Sequence, residues 1–269
     1  MAVVKGALQM TGGIKGVSFY TMSGSDKVFM RTKGGPKAQR MKTGEEFEKV
    51  RKHQSEWAAS VKFAHTVGDA LGEIYRLADY NLWPVLCGMG KNLMTLDTEH
   101  PVGQRNLMLS GYRKVLDNFS LNRNYQFNSV MRTTPEFEVD KKTLNAWVRI
   151  SQINTEMDLL NIQRLPYFRV IVTLGIVSDV EYMPDAKLSK YEPTNECSGF
   201  RLSTISEWFS TEDIINEQTL SVKLDEEVIK MTDDVTVLLG MGVEFGKVGF
   251  ASKITPVKNA GCGKVLKIC

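Results

Sequence analysis

VTVLLGMGVEFG, residues 235–246, decides the fold. VTVLLGMGV is apolar without the polar alternation of a half-solvated strand, as expected of a strand buried on both faces. GMGVEFG within it reads as a glycine-loosened continuation of that strand. Working outward, similar strand-rich runs surround it: YFRVIVTLGIVSDVEYM from 167, GFRLSTISEWFS from 199, QTLSVKL from 218 and KVLKIC at the C-terminus. NSVMRT, EFEVD and LNAWVRI precede them, separated by Pro135 and the Asp140–Lys142 turn. Alternation is clear in Thr219–Leu224 and partial in Phe200–Phe209. About eight strands with antiparallel-style turns, and no helix repeating between them, predict an antiparallel β-sandwich over 125–269 rather than a doubly wound sheet.

Upstream, the period changes. Residues 36–124 read as a helical segment of about three helices. Thr43 and Glu46 fit a capping box. Phe47, Val50, Gln54, Trp57, Val61, Ala64, Gly68, Leu71, Tyr75 and Ala78 then follow at helical steps along one face. Val85–Leu96 after Pro84 and Gly103–Leu116 after Pro101 are the next two candidates. Further upstream, GVSFYTM and KVFMRTK are strand-like runs joined by SGSD, making residues 1–35 a glycine-rich basic β-hairpin arm. The class expected is therefore α+β, in three segments: 1–35, 36–124 and 125–269.

Composition narrows the function. The 269 residues are 42% apolar and 24% charged, ordinary globular usage that excludes wholesale disorder. The net charge of +3 is too mild to name a partner, but it is unevenly spread. Residues 1–43 hold eight basic residues against Asp26 alone, a local +7, and the remaining 26 basic and 30 acidic residues give −4. No apolar run has the length of a membrane span, and the N-terminus lacks the apolar core of a secretory signal. Cys87, Cys197, Cys262 and Cys269 have no framework spacing and read as free thiols of a reducing compartment. Synthesis and folding in the cytoplasm are expected.

No catalytic or metal signature is present. His53 and His65 stand 12 apart on one predicted helix, about 120° around it, which is not the adjacent-turn spacing of a zinc pair. His100 sits at a helix boundary. GGIKG lacks dinucleotide-loop spacing. In NAGCGKVL, Walker spacing puts Lys258 at the first glycine and Val265 at the magnesium-binding hydroxyl, so a tight turn is expected there. Asp225–Glu227 and Asp233–Asp234 read as solvated loop charges without a calcium ladder. Trp147, Tyr167, Phe168, Trp208 and Phe209 are expected in the sandwich core rather than on a glycan platform. No cofactor is expected.

The quoted order of features also resembles an uncharacterised domain-of-unknown-function family common in Bacteroidetes-type bacteria. The segments that carry the likeness are VFMRTKGGPK, FEKVRKHQSEWAASVKFAHTV, GQRNLMLSGYRKVLDNFSLN, VLLGMGVEFG and KVLKIC. They span most of the chain and are structural in character. The resemblance implies the same architecture and no catalytic residues to carry over.

What remains is the arm, with Lys15, Phe19, Tyr20, Lys27, Phe29, Arg31 and Lys33 as candidate interaction residues. The expectation is a non-enzymatic structural or interaction protein that self-associates through this hairpin, since strand edges invite pairing and the acidic remainder offers a complementary surface. A nucleic-acid-binding arm is the runner-up, and a ligand-binding (glycan or protein) sandwich the third reading.

Overall fold

The computed structural model describes residues 2–4, 11–22, 25–32, 34–185 and 190–269. The chain is α+β and divides into two compact units, Met1–Arg51 and Lys52–Cys269.

The first unit holds an antiparallel sheet in the order β1-β4-β3-β2, from Ala2–Val4 (β1), Gly12–Ile14 (β2), Val17–Thr21 (β3) and Val28–Thr32 (β4). The expected hairpin is β3–β4, with Val17 opposite Thr32 and Thr21 opposite Val28. Both of its outer edges are occupied, by β2 on β3 and β1 on β4. A short helix α1, Ala38–Thr43, follows. Thr43 does not cap the next helix: its hydroxyl donates to the Gln39 carbonyl at 3.1 Å, and Glu46 instead pairs with Arg40 at 2.7 Å.

The second unit is three layers deep. Its long helix α2, Glu48–Leu71, passes into a 3₁₀ segment, Gly72–Leu77, and helix α3 runs over Trp83–Thr95 with Pro84 in its first turn, where the missing N–H costs nothing. The large sheet has the order β11-β8-β15-β16, with β12 also on β8; these are Tyr167–Ser178 (β8), Arg201–Ile205 (β11), Phe209–Ser210 (β12), Val235–Val248 (β15) and Ile254–Ile268 (β16). A second sheet, β14-β6-β5, is built from Glu136–Asp140 (β5), Asn145–Ile150 (β6) and Gln218–Lys223 (β14). Two short pairs complete the strands: Ile153–Asn154 (β7) with Ile214–Ile215 (β13), and Val180–Tyr182 (β9) with Tyr191–Pro193 (β10).

The opening stretch explains the layering. Successive strand residues face opposite sides. Val235, Val237, Leu239, Met241, Val243 and Phe245 all join the core shared with the second sheet, beside Val148, Ile150, Leu220 and Val222. The alternate residues face the helices, and there Leu238 is joined by small groups. The glycines are therefore seats rather than weak points. A Cβ on Gly240 would lie 2.3 Å from the Ile74 tip, one on Gly242 would lie 2.4 Å from the Leu77 tip, and one on Gly175 would lie 2.3 Å from the Ala70 carbonyl oxygen. The 3₁₀ segment rests on this flat patch, which is why a segment so apolar carries so many glycines.

Three local expectations fail. Residues 103–116 are not helical beyond a 3₁₀ turn at Arg113–Val115, because Leu107 exchanges backbone hydrogen bonds with Val180 (2.9 and 3.0 Å) and leaves the helical ladder. NSVMRT begins as a short helix, Phe127–Val130, since Met131 N–H bonds back to the Phe127 carbonyl at 2.8 Å. NAGCGKVL is not a turn: it lies inside β16, paired from Val243–Cys262 to Leu238–Ile268 with register shifts that absorb the positive φ of Asn259 (58°).

Among the described residues no helix is long and apolar enough to cross a membrane. The four cysteines are free thiols. A Cβ on Gly88 of α3 would meet nothing within 4 Å beyond its chain neighbours and its own helix backbone. Gly88→Ala is therefore expected to stabilise the protein by about 1 kcal/mol through helix propensity, read as a higher urea midpoint at unchanged slope.

Candidate interaction surface

The N-terminal sheet brings together the residues that its sequence singled out, and separates them onto two faces. Lys15 sits at the tip of the β2–β3 hairpin with φ 44°, a left-handed conformation that a two-residue loop requires at its first position. From Val17 onward the side chains alternate. One face carries Ile14 and Val17 opposite each other, Phe19 opposite Met30 and Thr21 opposite Val28, with Thr32 beside Val17. The other carries Tyr20 across from Phe29, their rings stacked at 5.9 Å, with the Arg31 guanidinium 5.6 Å from the Tyr20 ring centre. Arg31 thus faces an aromatic surface of its own sheet. Lys27 is exposed, and its N–H donates to the Ser25 hydroxyl at 3.2 Å, closing the turn into β4. Lys33 lies outside the described residues.

The apolar face is thinly covered. Among the described residues of 11–51 only Val28 is buried; Val17, Phe19 and Met30 are half-buried, and Ile14 is 59% exposed. A small sheet of this size needs a packed apolar face to hold together.

Elsewhere the polar clusters act as braces. Glu56 on α2 is fully buried, and its carboxylate accepts from Arg105 (2.6 and 2.8 Å), the Gly103 N–H (2.9 Å) and Lys91. Burial alone would push its pKa up, but these donors outweigh it and hold the carboxyl at about 2. Glu244 on β15, also buried, binds Arg76 of the 3₁₀ segment (3.0 Å) and Arg169 of β8 (2.8 Å), and Arg169 lies 4.4 Å from the Trp208 ring centre. Buried Asp179 accepts the Ser110 N–H at 2.8 Å, and burial raises its pKa. Each of these carboxylates joins segments far apart in sequence, and each is occupied by its donors.

The remaining sequence candidates fall in ordinary places. His53 is exposed, His65 packs edge-on against Trp83 at 4.3 Å, and His100 Nδ1 lies 2.8 Å from Asp97. Among the described residues no His, Cys, Asp and Glu side chains group as a metal site would require. Asp225 caps a turn by accepting the Glu227 N–H at 2.9 Å, and Asp234 bonds the Thr194 hydroxyl. Phe168 is in the core, as expected of the aromatics. Trp147 is not: it faces outward from β6, where Glu138 accepts its indole N–H at 3.2 Å and Arg149 lies 5.8 Å from its ring centre. The strand neighbours on that face are Glu138, Ser221, Glu136, Arg149 and Thr219, with no second aromatic among them.

Compared with protein families, with curated proteins and with solved structures, the chain matches none.

Proposed function

We propose that this is a non-enzymatic structural or interaction protein that self-associates through its N-terminal sheet. The observation that carries the reading is a four-stranded sheet with an apolar face and a single buried residue among the described ones. Such a face gains free energy by covering itself, at roughly 25 cal/mol per Å² of apolar surface removed from water. The hairpin's own edges are already paired, so the sheet's face rather than strand addition at the hairpin is the association surface. The local +7 of residues 1–43 against −4 for the rest lets the sheet of one copy meet the body of another without like-charge repulsion.

Light scattering coupled to size exclusion, on the full chain and on a chain lacking residues 1–35, tests it at low and high salt. The full chain should run as an oligomer and the shortened one as a monomer. Two matching monomers at high concentration would reject self-association.

The cation–aromatic face favours one second reading. Stacked Tyr20 and Phe29 with Arg31 beside them are the groups that hold single-stranded nucleic acid. Binding to a single-stranded oligonucleotide that falls steeply with salt and disappears in Tyr20→Ala would support it.

A further inference from the structure

We infer that the groove between the C-terminal end of α3 and the 107–115 loop is the seat for the N-terminal sheet of a second copy of this chain. The inference rests on the self-association reading and adds the receiving surface.

The groove is preformed on both sides. On one wall α3 closes through the Leu96 N–H to the Leu93 carbonyl (3.0 Å), and the chain then knots around Asp97. That carboxylate accepts the N–H groups of Glu99 (3.0 Å), His100 (3.2 Å) and Asn106 (2.7 Å). On the other wall Leu107 is bridged to Val180, Tyr112 N–H bonds the Leu109 carbonyl at 2.9 Å, and Arg113 donates to the Asp233 carbonyl at 2.7 Å. Neither wall must order itself on binding, which lowers the cost of filling it.

Its lining is divided by chemistry. Two adjoining depressions, of about 440 and 760 Å³, share Leu93, Leu96 and Tyr112. The larger continues along Met89 and Val115 and is mainly apolar. Leu96 is 47% and Tyr112 45% exposed, so large apolar side chains stand open to water along its length. The smaller is lined by Glu99 and Glu181, neither of which has an ion-pair partner among the described residues.

An apolar trough adjoining a depression whose carboxylates have no ion-pair partner among the described residues fits a partner that presents exposed apolar side chains beside cations. The N-terminal sheet does so at each end of β3: Ile14 and Lys15 are consecutive at the β2–β3 hairpin tip and both exposed, and exposed Met22 and Lys27 flank the turn at the opposite end of the strand. The same carboxylates repel a phosphate backbone, so the groove selects against nucleic acid. Arg113 is turned onto the carbonyls of Asp233 and Val235, and it and the exposed Lys114 line only the larger depression; among the described residues no lysine or arginine lines the smaller, acidic one.

The test uses full-length protein. Equal amounts of ¹⁴N- and ¹⁵N-labelled chain are mixed and treated with a zero-length amine–carboxylate cross-linker. Peptides joining Lys15 or Lys27 to Glu99 or Glu181 should appear with mixed isotopes. Glu99→Lys with Glu181→Lys should remove them and weaken self-association by on the order of tenfold or more. Adding the Lys15→Glu, Lys27→Glu chain should restore association with that variant. Tyr112→Asp, an independent change in the apolar lining, should weaken it as well. An oligomer that needs residues 1–35 yet ignores all these substitutions would overturn the groove and leave self-association standing. Cross-links confined to single-isotope pairs would overturn it too. A chain that is monomeric throughout would overturn both.

Discussion

Gly175→Ala should destabilise the protein by about 3 kcal/mol or more, the upper part of the range for overpacking. The new methyl carbon would lie 2.3 Å from the Ala70 carbonyl oxygen and 2.8 Å from that residue's Cα and carbonyl carbon. All three are backbone atoms at the end of α2, so no side-chain rotation relieves the contact. Gly175 sits in the middle of β8, between Leu174 of the sandwich core and the helix layer, and Ala70 is itself fully buried. The only escape is to lift the end of α2 off the sheet, which also unseats Ile74 and Leu77 from Gly240 and Gly242. Urea unfolding of Gly175→Ala beside Gly88→Ala makes a matched pair. The first should lose stability and the second gain it. A Gly175→Ala midpoint within experimental error of the parent would refute the close packing of α2 on the large sheet.

Glu56→Gln should cost about 3–5 kcal/mol, because it strands the partly buried Arg105 and Lys91 without their counter-charge. The same brace has a pH signature. The folded pKa of Glu56, about 2, is below its ordinary value of 4.5. A depressed carboxyl stabilises the fold while it is ionised in both states, that is above about pH 4.5. Its contribution, on the order of 3 kcal/mol, is lost as the pH falls from there toward 2. Asp97 and Asp234, whose pKa values are also lowered, add to the acid sensitivity of the parent. The difference between parent and Glu56→Gln isolates the one group: it should shrink steadily below pH 4.5. Unfolding free energies that stay parallel through acid would show that Glu56 is not the brace described.

Glu56 also marks where sequence reading stopped. The helical face drawn from apolar spacing ran through Val50, Trp57 and Val61, yet Trp57 is 50% exposed and Val50 is 39% exposed. The expected face holds at buried Ala64 and Leu71, but the buried arc also takes in the row one residue to its side, through Glu56, Ala59, Ser60, Phe63, Val67 and Ala70. Small residues and a glutamate look like a solvent face in one dimension. They are the inner face because Ala70 lies against Gly175 of β8, because Ser60 and Phe63 lie against Gly90 of α3, and because Arg105, 49 residues away, neutralises the carboxylate. No local periodicity carries that information. The same holds for 103–116, whose helical spacing lost to a bridge with Val180, and for NAGCGKVL, where glycines suggesting a turn are the flat part of a long strand.

The interaction surface was legible in part. Lys15, Phe19, Tyr20, Phe29 and Arg31 were recognisable as a basic, aromatic hairpin because charge and strand alternation are properties of adjacent residues. Their division into an apolar face and a cation–aromatic face follows from register, and β1 and β2 covering the hairpin's edges was not foreseeable from the hairpin alone. The groove had no sequence signal, since Leu96, Tyr112 and Glu181 come from three separate segments.

By itself, then, the sequence determined the α+β class, the antiparallel strands, the N-terminal hairpin and the two-sided burial of 235–246. Each depends on the average environment of neighbouring residues, which composition and period report directly. Only the tertiary structure decided which face of α2 goes inward, which glycines are seats, which carboxylates are braces and where a groove opens. Those outcomes depend on particular atoms brought together from distant segments, where one carbonyl or one guanidinium reverses the local preference.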